Sequence, residues 1–241
     1  MDLKIKDVAE LLNVSETTIR RWVIEGKIPV YRLNHQYRFS RIEIQNWVLS
    51  CKITQEQEGV ALFSENPLCL SDFEETEPNS QRDGWQQFSL YRAIHKGGIL
   101  TQVAGDTKEE VIRGTMKMIA QKLNLDADVL TDLLMDRENL MPTALNNGIA
   151  VPHTRDFLLQ GPFDIIVVVF PQKPIEYGAL DGKPVHTLFF LFASGDKRHL
   201  HLLAKLAHLS SNPQALEMLR SRPNRNGVLE YVRDWESKIK Q

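Results

Sequence analysis

Two uninterrupted apolar runs constrain the fold of this chain more than any other feature. The first covers residues 165–170 and ends at Pro171, and the second covers residues 187–192 and ends at the turn 193–195. A strand with one wet face alternates polar and apolar residues, whereas these runs do not alternate. We therefore expect strands buried on both faces, in a sheet that helices cover on each side.

Helical patterns flank these runs. One follows Asp106, where Thr107 and Glu110 have capping-box spacing, and a second precedes Arg137. The predicted buried positions of the first helix are Val111, Met118, Ile119 and Leu123, and the second helix runs through Val129, Leu130, Leu133 and Leu134. Two further helices are predicted after the last run. With a short strand at residues 149–151, the order of elements predicts a layered α/β domain with flanking helices.

The segment 137–153 reads RENLMPTALNNGIAVPH and is the main candidate for chemistry. Asn147-Gly148 is a turn signal, and Pro152 should end the following strand because proline has no N–H for a ladder. This predicts His153 at a strand terminus on a surface rim, open to a visiting protein. A neutral imidazole there can accept a phosphoryl group, and Arg137 can bind an anion with two parallel hydrogen bonds.

The same segment resembles the active-site signature of type 2 enzyme IIA domains of the bacterial sugar phosphotransferase system, the fructose, mannitol and nitrogen-regulatory branch. The resemblance extends from about Gly97 to Trp235 and implies a mixed sheet with flanking helices. It implies that His153 accepts phosphate from a histidine-containing phosphocarrier protein and passes it to an unidentified downstream protein. It also implies that His199, at a helix start, orients the phosphate, and that Arg137 and the loop residues Thr143, Asn147 and Gly148 assist. Two glycines of the family loop are here Ala144 and Asn146.

The first fifty residues carry a different pattern. A short amphipathic helix is followed by a turn at Asn13 and by Ser15, which can cap the next helix. That second helix places Ile19 and Trp22 on its buried side. Residues 30–39 then alternate as a hairpin does, and a last helix closes the small core. The pattern predicts a helix-turn-helix with a wing.

This pattern resembles excisionase-like, MerR-type helix-turn-helix modules over Leu3 to Pro29. The resemblance implies that the second helix enters the DNA major groove and that the wing follows the phosphate backbone. The implied DNA-binding residues are Thr17, Thr18, Arg20, Arg21, Lys27, Arg32 and Arg38. One such module makes few phosphate contacts, so double-stranded DNA would be bound by at least a homodimer. A helix-turn-helix that docks proteins is the alternative.

These patterns predict two domains joined by a linker: a winged helix-turn-helix at 1–53, an acidic linker at 54–84 and a IIA domain at 85–241. The 241 residues are 42% apolar, and the formal net charge of -2 is not the basic balance of a free-standing nucleic-acid binder. Neither Cys51 nor Cys69 has a partner at metal-ligand spacing, so we expect reduced thiols, no metal and no cofactor. The absence of an apolar run of membrane length or a signal layout predicts a cytoplasmic protein without membrane insertion.

The sequence leaves three hypotheses open. In the first, the chain is a regulatory phosphocarrier, an enzyme in the sense of a phosphohistidine carrier, in which phosphorylation of His153 is coupled to DNA binding. In the second, the IIA domain is a phosphocarrier for sugar uptake and the N-terminal module only docks proteins. In the third, the IIA domain is a catalytically silent protein-binding scaffold, a hypothesis that the departures at Ala144 and Asn146 leave open.

Overall fold

The computed structural model of the chain describes residues 3–12, 14–33, 36–50, 89–154 and 163–239. The described residues form two compact units. The first unit contains residues 3–50 and 196–208, and the second contains residues 89–195 and 209–239. The predicted linker at 54–84 and both cysteines lie outside the described residues.

The N-terminal part of the first unit is a helix-turn-helix with a hairpin wing. Its elements are α1 (Ile5–Leu12), α2 (Glu16–Ile24), β1 (Tyr31–Leu33), β2 (Gln36–Arg38) and α3 (Arg41–Ser50). Ser15 caps α2 as predicted, because its side chain accepts a hydrogen bond from the Thr18 N–H at 3.1 Å. Val8, Ile19 and Phe39 are completely buried, and the rings of Trp22 and Trp47 lie 5.7 Å apart. These contacts give the small module its own core.

The second unit is built on a mixed four-stranded sheet, as the apolar runs predict. The elements from here to the C-terminus are α4 (Leu90–Gly97), β3 (Gly98–Val103), α5 (Lys108–Leu123), α6 (Ala127–Leu140), β4 (Ile149–Ala150), β5 (Ile165–Pro171), β6 (Thr187–Phe192), α7 (Asp196–Ser210), α8 (Pro213–Arg220) and α9 (Arg225–Ile239). The strand order is β3-β5-β6-β4, and only the central pair β5 and β6 is antiparallel. Every residue of β6 is buried, which confirms the prediction of strands covered on both faces.

Helix α7 contributes to the first unit through residues 196–208. It begins at Asp196, whose carboxylate forms an ion pair with Arg41 at the start of α3. Both side chains are about one-third exposed. This ion pair joins the helix-turn-helix part of the unit to its later segment.

The structure differs from the prediction at one strand and at one buried position. Strand β3 was not expected: it is an edge strand with exposed residues at Thr101 and Gln102, and so it lacks a continuous apolar run. Met118 is predicted on the buried side of α5 but is 54% exposed. Helix α5 buries Val111, Ile112, Thr115, Met116, Ile119 and Ala120 instead. The buried face is set by packing between α5, α6 and β3, which helical periodicity alone does not specify.

Candidate functional site

Residues 143–151 form a hairpin that organises the candidate site. The N–H of Val151 donates to the carbonyl of Thr143 at 3.0 Å, and the N–H of Leu145 donates to the carbonyl of Ile149 at 2.7 Å. Asn147 and Gly148 form the tip, with φ angles of 67° and 77°. The left-handed conformation at both positions confirms the predicted turn and explains the Asn-Gly pair.

His153 continues the extended backbone beyond this hairpin. Strand β4 is short, but the parallel register with β6 is kept, because Ile149 lies opposite Thr187 and His153 lies opposite Leu191. The carbonyl of Pro152 accepts a hydrogen bond from the Leu191 N–H at 2.9 Å. Proline lacks the backbone N–H donor but keeps the carbonyl acceptor. Pro152 can therefore still bond to β6, and the pairing continues to His153.

The prediction that His153 lies open on a surface rim is therefore wrong. The ring is completely buried, and the segment that carries it does not end at Pro152 but is still paired with the central strand β6. Burial in the first place, and the guanidinium charge of Arg137 in the second, lower the pKa of His153 from 6.5 to about 3. The imidazole is consequently neutral at physiological pH.

The backbone fixes the tautomer of this neutral ring. Nδ1 of His153 lies 2.8 Å from the carbonyl oxygen of Val151. Because a carbonyl only accepts, Nδ1 carries the hydrogen, and the lone pair of the neutral imidazole is on Nε2. Nε2 is therefore the nucleophilic nitrogen of this histidine.

Arg137 and Glu138 connect α6 to the hairpin. Arg137 is 1% exposed and donates from Nη1 to the carbonyl of Met141 at 2.8 Å. The Glu138 carboxylate accepts from the N–H of Thr143 at 3.0 Å and also from the Thr143 hydroxyl. Thr143 in turn binds Val151, whose carbonyl holds the His153 ring. A chain of hydrogen bonds thus runs from α6 to the imidazole.

Tyr177 completes the buried polar cluster, and residue patterns alone did not single it out. Its side chain is 1% exposed and lies beside the Glu138 carboxyl. Burial raises the pKa of Glu138, and hydrogen bonds from Thr143 oppose that shift. Burial and then the charge of Glu138 raise the pKa of the Tyr177 hydroxyl. Glu138 was not predicted as a site residue either. The sequence did offer one signal for it, because it directly follows Arg137, a candidate anion-binding residue.

The predicted loop residues separate into two groups. Thr143 belongs to the cluster that holds His153, whereas Asn147 and Gly148 occupy the hairpin tip. The extended backbone takes five residue steps from Gly148 to His153, which correspond to roughly 16 Å at about 3.3 Å per residue. The structure therefore does not bring Asn147 and Gly148 to the imidazole.

The tip is attached to a second loop, residues 178–186. The N–H of Asn147 donates to Oδ2 of Asp181 at 2.8 Å, and the N–H of His186 donates to the carbonyl of Gly148 at 2.8 Å. A Cβ on Gly148 would lie 2.6 Å from Cδ2 of His186. The N–H groups of Thr143, Leu145 and Asn147 thus already have protein acceptors, and Pro142 has no N–H. Two of the loop residues predicted to assist the phosphate, Thr143 and Asn147, therefore already use their backbone N–H groups within the protein.

His199 lies in the first turn of α7 and is 2% exposed. It belongs to the first compact unit, whereas Arg137, Thr143 and His153 belong to the second. The position at a helix start is as the sequence predicts.

The predicted DNA-binding residues lie mainly on exposed positions. Thr17, Arg20, Arg21 and Arg32 are exposed, and Lys27 pairs with Glu25 at 3.0 Å. Thr18 differs from its prediction as an outward residue, because it is half-buried and its hydroxyl lies 2.9 Å from that of Ser15. It is therefore partly used in capping α2.

Matches to models of sequence families identify the larger part of the chain. The model of the family described as phosphoenolpyruvate-dependent sugar phosphotransferase system, EIIA 2, matches residues 92–235, more than half of the chain. The chain belongs to this family. A second family, described only as a helix-turn-helix domain, matches residues 3–52. The fusion of a helix-turn-helix domain to a type 2 IIA domain is therefore shown, and the excisionase or MerR subclass stays a prediction.

Related proteins place the IIA domain near nitrogen regulatory proteins. One from Pseudomonas aeruginosa is 32% identical over 148 residues, which are 60% of this chain and 95% of the relative. One from Escherichia coli K12 is 29% identical over 140 residues, covering 56% of this chain and 84% of the relative. The chain is thus a type 2 IIA-like regulatory protein.

Solved structures agree on the fold. Nitrogen regulatory protein IIA-Ntr from Neisseria meningitidis has a TM-score of 0.51 at 24% identity, covering 56% of this chain and 91% of that chain. A putative phosphotransferase-system IIA domain from Streptococcus pyogenes has a TM-score of 0.52 at 21% identity, covering 61% and 96%. At these identities the likeness concerns the α/β fold alone. Within the described ranges, no helix has both the length and the apolar character that a membrane crossing requires.

Proposed function

We propose that this chain is a regulatory phosphocarrier that accepts a phosphoryl group on Nε2 of His153 from a histidine-containing phosphocarrier protein. The observation that carries the proposal is the state of the His153 ring. The Val151 carbonyl fixes the hydrogen on Nδ1, the ring is neutral, and the charge of Arg137 acts on it. In the transfer, the bond from phosphorus to the carrier's ring nitrogen breaks as the bond to Nε2 forms. The carrier's nitrogen recovers its lone pair, and Arg137 would balance the phosphoryl charge.

Burial of His153 adds a requirement to this proposal. A carrier protein cannot reach a ring that is completely buried, so the surrounding residues must move before transfer. This makes the buried ring the resting state and an opened ring the reactive state. Opening of a local segment costs less than global unfolding, so such a step is compatible with a stable fold.

The second candidate function is a protein-binding scaffold without phosphoryl transfer. Its support is the same complete burial of His153, together with Ala144 and Asn146, where the family motif has glycine. Under this hypothesis the cluster around Glu138 stabilises the fold and has no chemical task.

A labelling experiment separates the two candidates. The full chain is incubated with labelled phosphoenolpyruvate, the first enzyme of the system and the phosphocarrier protein. We expect an acid-labile, base-stable label that His153→Ala abolishes and His95→Ala, at an exposed histidine, retains. Nitrogen NMR of the product should assign the phosphorus to Nε2. A chain that stays unlabelled, or a label that survives in His153→Ala, contradicts the proposal.

We further propose that the helix-turn-helix binds double-stranded DNA as at least a dimer and that phosphorylation changes this binding. The exposure of Thr17, Arg21 and Arg32 supports the DNA interaction. For the coupling, the resemblance implies that His199 contacts the phosphoryl group. Added charge there would act on the first turn of α7, where Asp196 pairs with Arg41 of α3.

Gel shifts with fragments of the native genome test this part. We expect a salt-sensitive shift that phosphorylation alters, and an Asp196→Asn chain in which phosphorylation no longer alters it. The Asp234→Asn chain, which changes an exposed carboxylate of α9, is the control. A shift that is absent or insensitive to salt contradicts DNA binding.

A further inference from the structure

An open cleft of about 340 Å³ lies in the helix-turn-helix part of the protein. Three separate segments form it: the start of α1, the outer side of α2 and strand β2 of the wing. Its lining residues are Lys4, Ile5, Lys6, Glu16, Arg20, Gln36, Tyr37 and Arg38. The fold thus brings together cations that lie up to 34 positions apart in the sequence.

The charge of the cleft is strongly positive. Four of its lining residues are cations and one is a carboxylate, which leaves a formal charge of +3. The carboxylate, Glu16, lies 3.7 Å from Arg20 on the next turn of α2, and both side chains are about half exposed. Asp7 is not among the lining residues, and its carboxylate accepts the Lys4 N–H at 2.7 Å and caps α1. The formal net charge of the whole chain is -2, so the charge of the cleft is opposite in sign to that of the chain.

One of the cations is held in place. Nη2 of Arg38 donates to the side-chain oxygen of Gln36 at 2.7 Å, and Nη1 donates to the carbonyl of Tyr37 at 3.3 Å. A guanidinium that is oriented in advance loses less rotamer freedom when it binds an anion. Lys4 and Lys6 are exposed and can follow an anion along the cleft.

We propose that this cleft binds the sugar-phosphate backbone of double-stranded DNA, with Lys4 and Lys6 as phosphate-binding residues beside Arg20 and Arg38. The proposal rests on the proposed DNA binding and adds the start of α1 to the interface. Long cationic side chains around an open cleft fit a run of phosphates, whereas base edges need paired donors and acceptors inside a groove. Lys4 and Lys6 therefore contribute affinity and position, and do not select the base sequence.

The test uses the full chain and a fluorescently labelled random-sequence duplex of about 20 base pairs, titrated between about 50 and about 200 mM salt. We expect Lys4→Gln/Lys6→Gln to reduce the slope of log affinity against log salt by about 1.8, or about 0.9 for each lost phosphate contact. Affinity at about 0.1 M salt should fall on the order of tenfold or more. The control Lys117→Gln/Lys122→Gln, at two exposed lysines of α5, removes the same charge elsewhere and should leave the slope unchanged.

The outcomes separate this inference from the proposed function. If the unmodified chain binds the duplex and Arg21→Ala weakens binding while Lys4→Gln/Lys6→Gln keeps the slope, the cleft inference fails and DNA binding stands. If the unmodified chain binds no duplex, both fail. If Lys4→Gln/Lys6→Gln keeps the DNA slope but loses competition by inorganic phosphate at constant ionic strength, the cleft serves a free anion and the inference is overturned. Thermal unfolding must be the same for both double variants.

Discussion

The two regions proposed to meet phosphate carry their positive charge in opposite ways. In the IIA domain, Arg137 is 1% exposed and is tied to the Met141 carbonyl next to a buried histidine. In the helix-turn-helix, the lining cations of the cleft are largely exposed, and Arg20 is 58% exposed. Buried charges act strongly on near neighbours and are little screened, whereas exposed charges act weakly and fade with salt. A single substitution in the buried site can therefore abolish its function, whereas each substitution in the exposed cleft should reduce binding only a little.

The largest effect is expected from Arg137→Lys. Lysine keeps the charge but not the planar fork, so it cannot hold the Met141 carbonyl and a phosphoryl oxygen in the same geometry. We expect the initial rate of His153 labelling to fall on the order of 10²–10³-fold, independent of salt. Arg113→Lys, at a half-buried arginine outside the site that pairs with Glu109, should label at the normal rate. Equal rates for Arg137→Lys and the unmodified chain would show that the buried cation has no role in transfer.

A smaller loss is expected from Glu138→Gln, measured as the free energy of unfolding in urea. The two carboxylate oxygens each accept from Thr143, and the amide nitrogen of glutamine would face one of these donors. We expect a destabilisation of about 1–3 kcal/mol, the usual cost of an unsatisfied buried polar group. Glu176→Gln, at an exposed position after Ile175, should change stability little. An unchanged unfolding midpoint would mean that the cluster does not hold the hairpin.

The pH dependence of stability provides a third comparison. Because the pKa of His153 is about 3 in the folded chain and 6.5 is its ordinary value, only the unfolded state gains the proton as the pH falls. Below pH 6.5 the folded state should lose about 1.4 kcal/mol per pH unit through this ring. His201, with a pKa lowered to about 4, acts in the same direction. The difference between the unmodified chain and His153→Gln isolates the buried ring, and His95→Gln is the exposed control.

Parallel pH profiles for the unmodified chain and His153→Gln would contradict the buried state. They would mean that the imidazole takes up protons as freely in the folded chain as in the unfolded one. The resting state with a closed ring would then have to be abandoned.

The smallest effect is expected in the cleft, from Glu16→Gln. Removing the one lining carboxylate frees Arg20 and lowers repulsion of phosphate. An exposed ion pair is worth about 0–1 kcal/mol, so duplex affinity should rise only a few-fold and the gain should vanish at high salt. Glu10→Gln, on the neighbouring helix α1 but outside the lining, should have a weaker effect. A gain that persists at high salt would contradict the view that the cleft acts through screened charge.

How much could be predicted from the sequence depended on the scale of the pattern. Strands β5 and β6 were predictable because whole runs of residues are apolar, and the caps at Ser15 and Thr107 because one side chain binds a nearby N–H. Strand β3 was not, because an edge strand with exposed Thr101 and Gln102 shows no continuous apolar run. Elements that depend on a local pattern could therefore be predicted, whereas elements that depend on their packing partners could not.

The site shows the same division. His153, Arg137 and Thr143 were predicted, and the structure links Thr143 to the histidine through Val151. Burial of the ring was missed because Pro152 looks like a strand end, whereas its carbonyl continues the pairing with Leu191. Asn147 and Gly148 were grouped with the histidine because they are near it in sequence. An extended segment separates them in space, and sequence proximity does not report that distance.

The hairpin tip bears on how relatives of this protein should be compared. Gly148 has no space for a side chain beside His186, and both Asn147 and Gly148 have a left-handed backbone, with φ angles of 67° and 77°. A descendant that had abandoned phosphoryl transfer would still need this dipeptide in order to close the hairpin. Retention of Asn-Gly is therefore a marker of architecture, and an inactive member of the group would be recognised by the loss of His153 or Arg137 while the dipeptide persists.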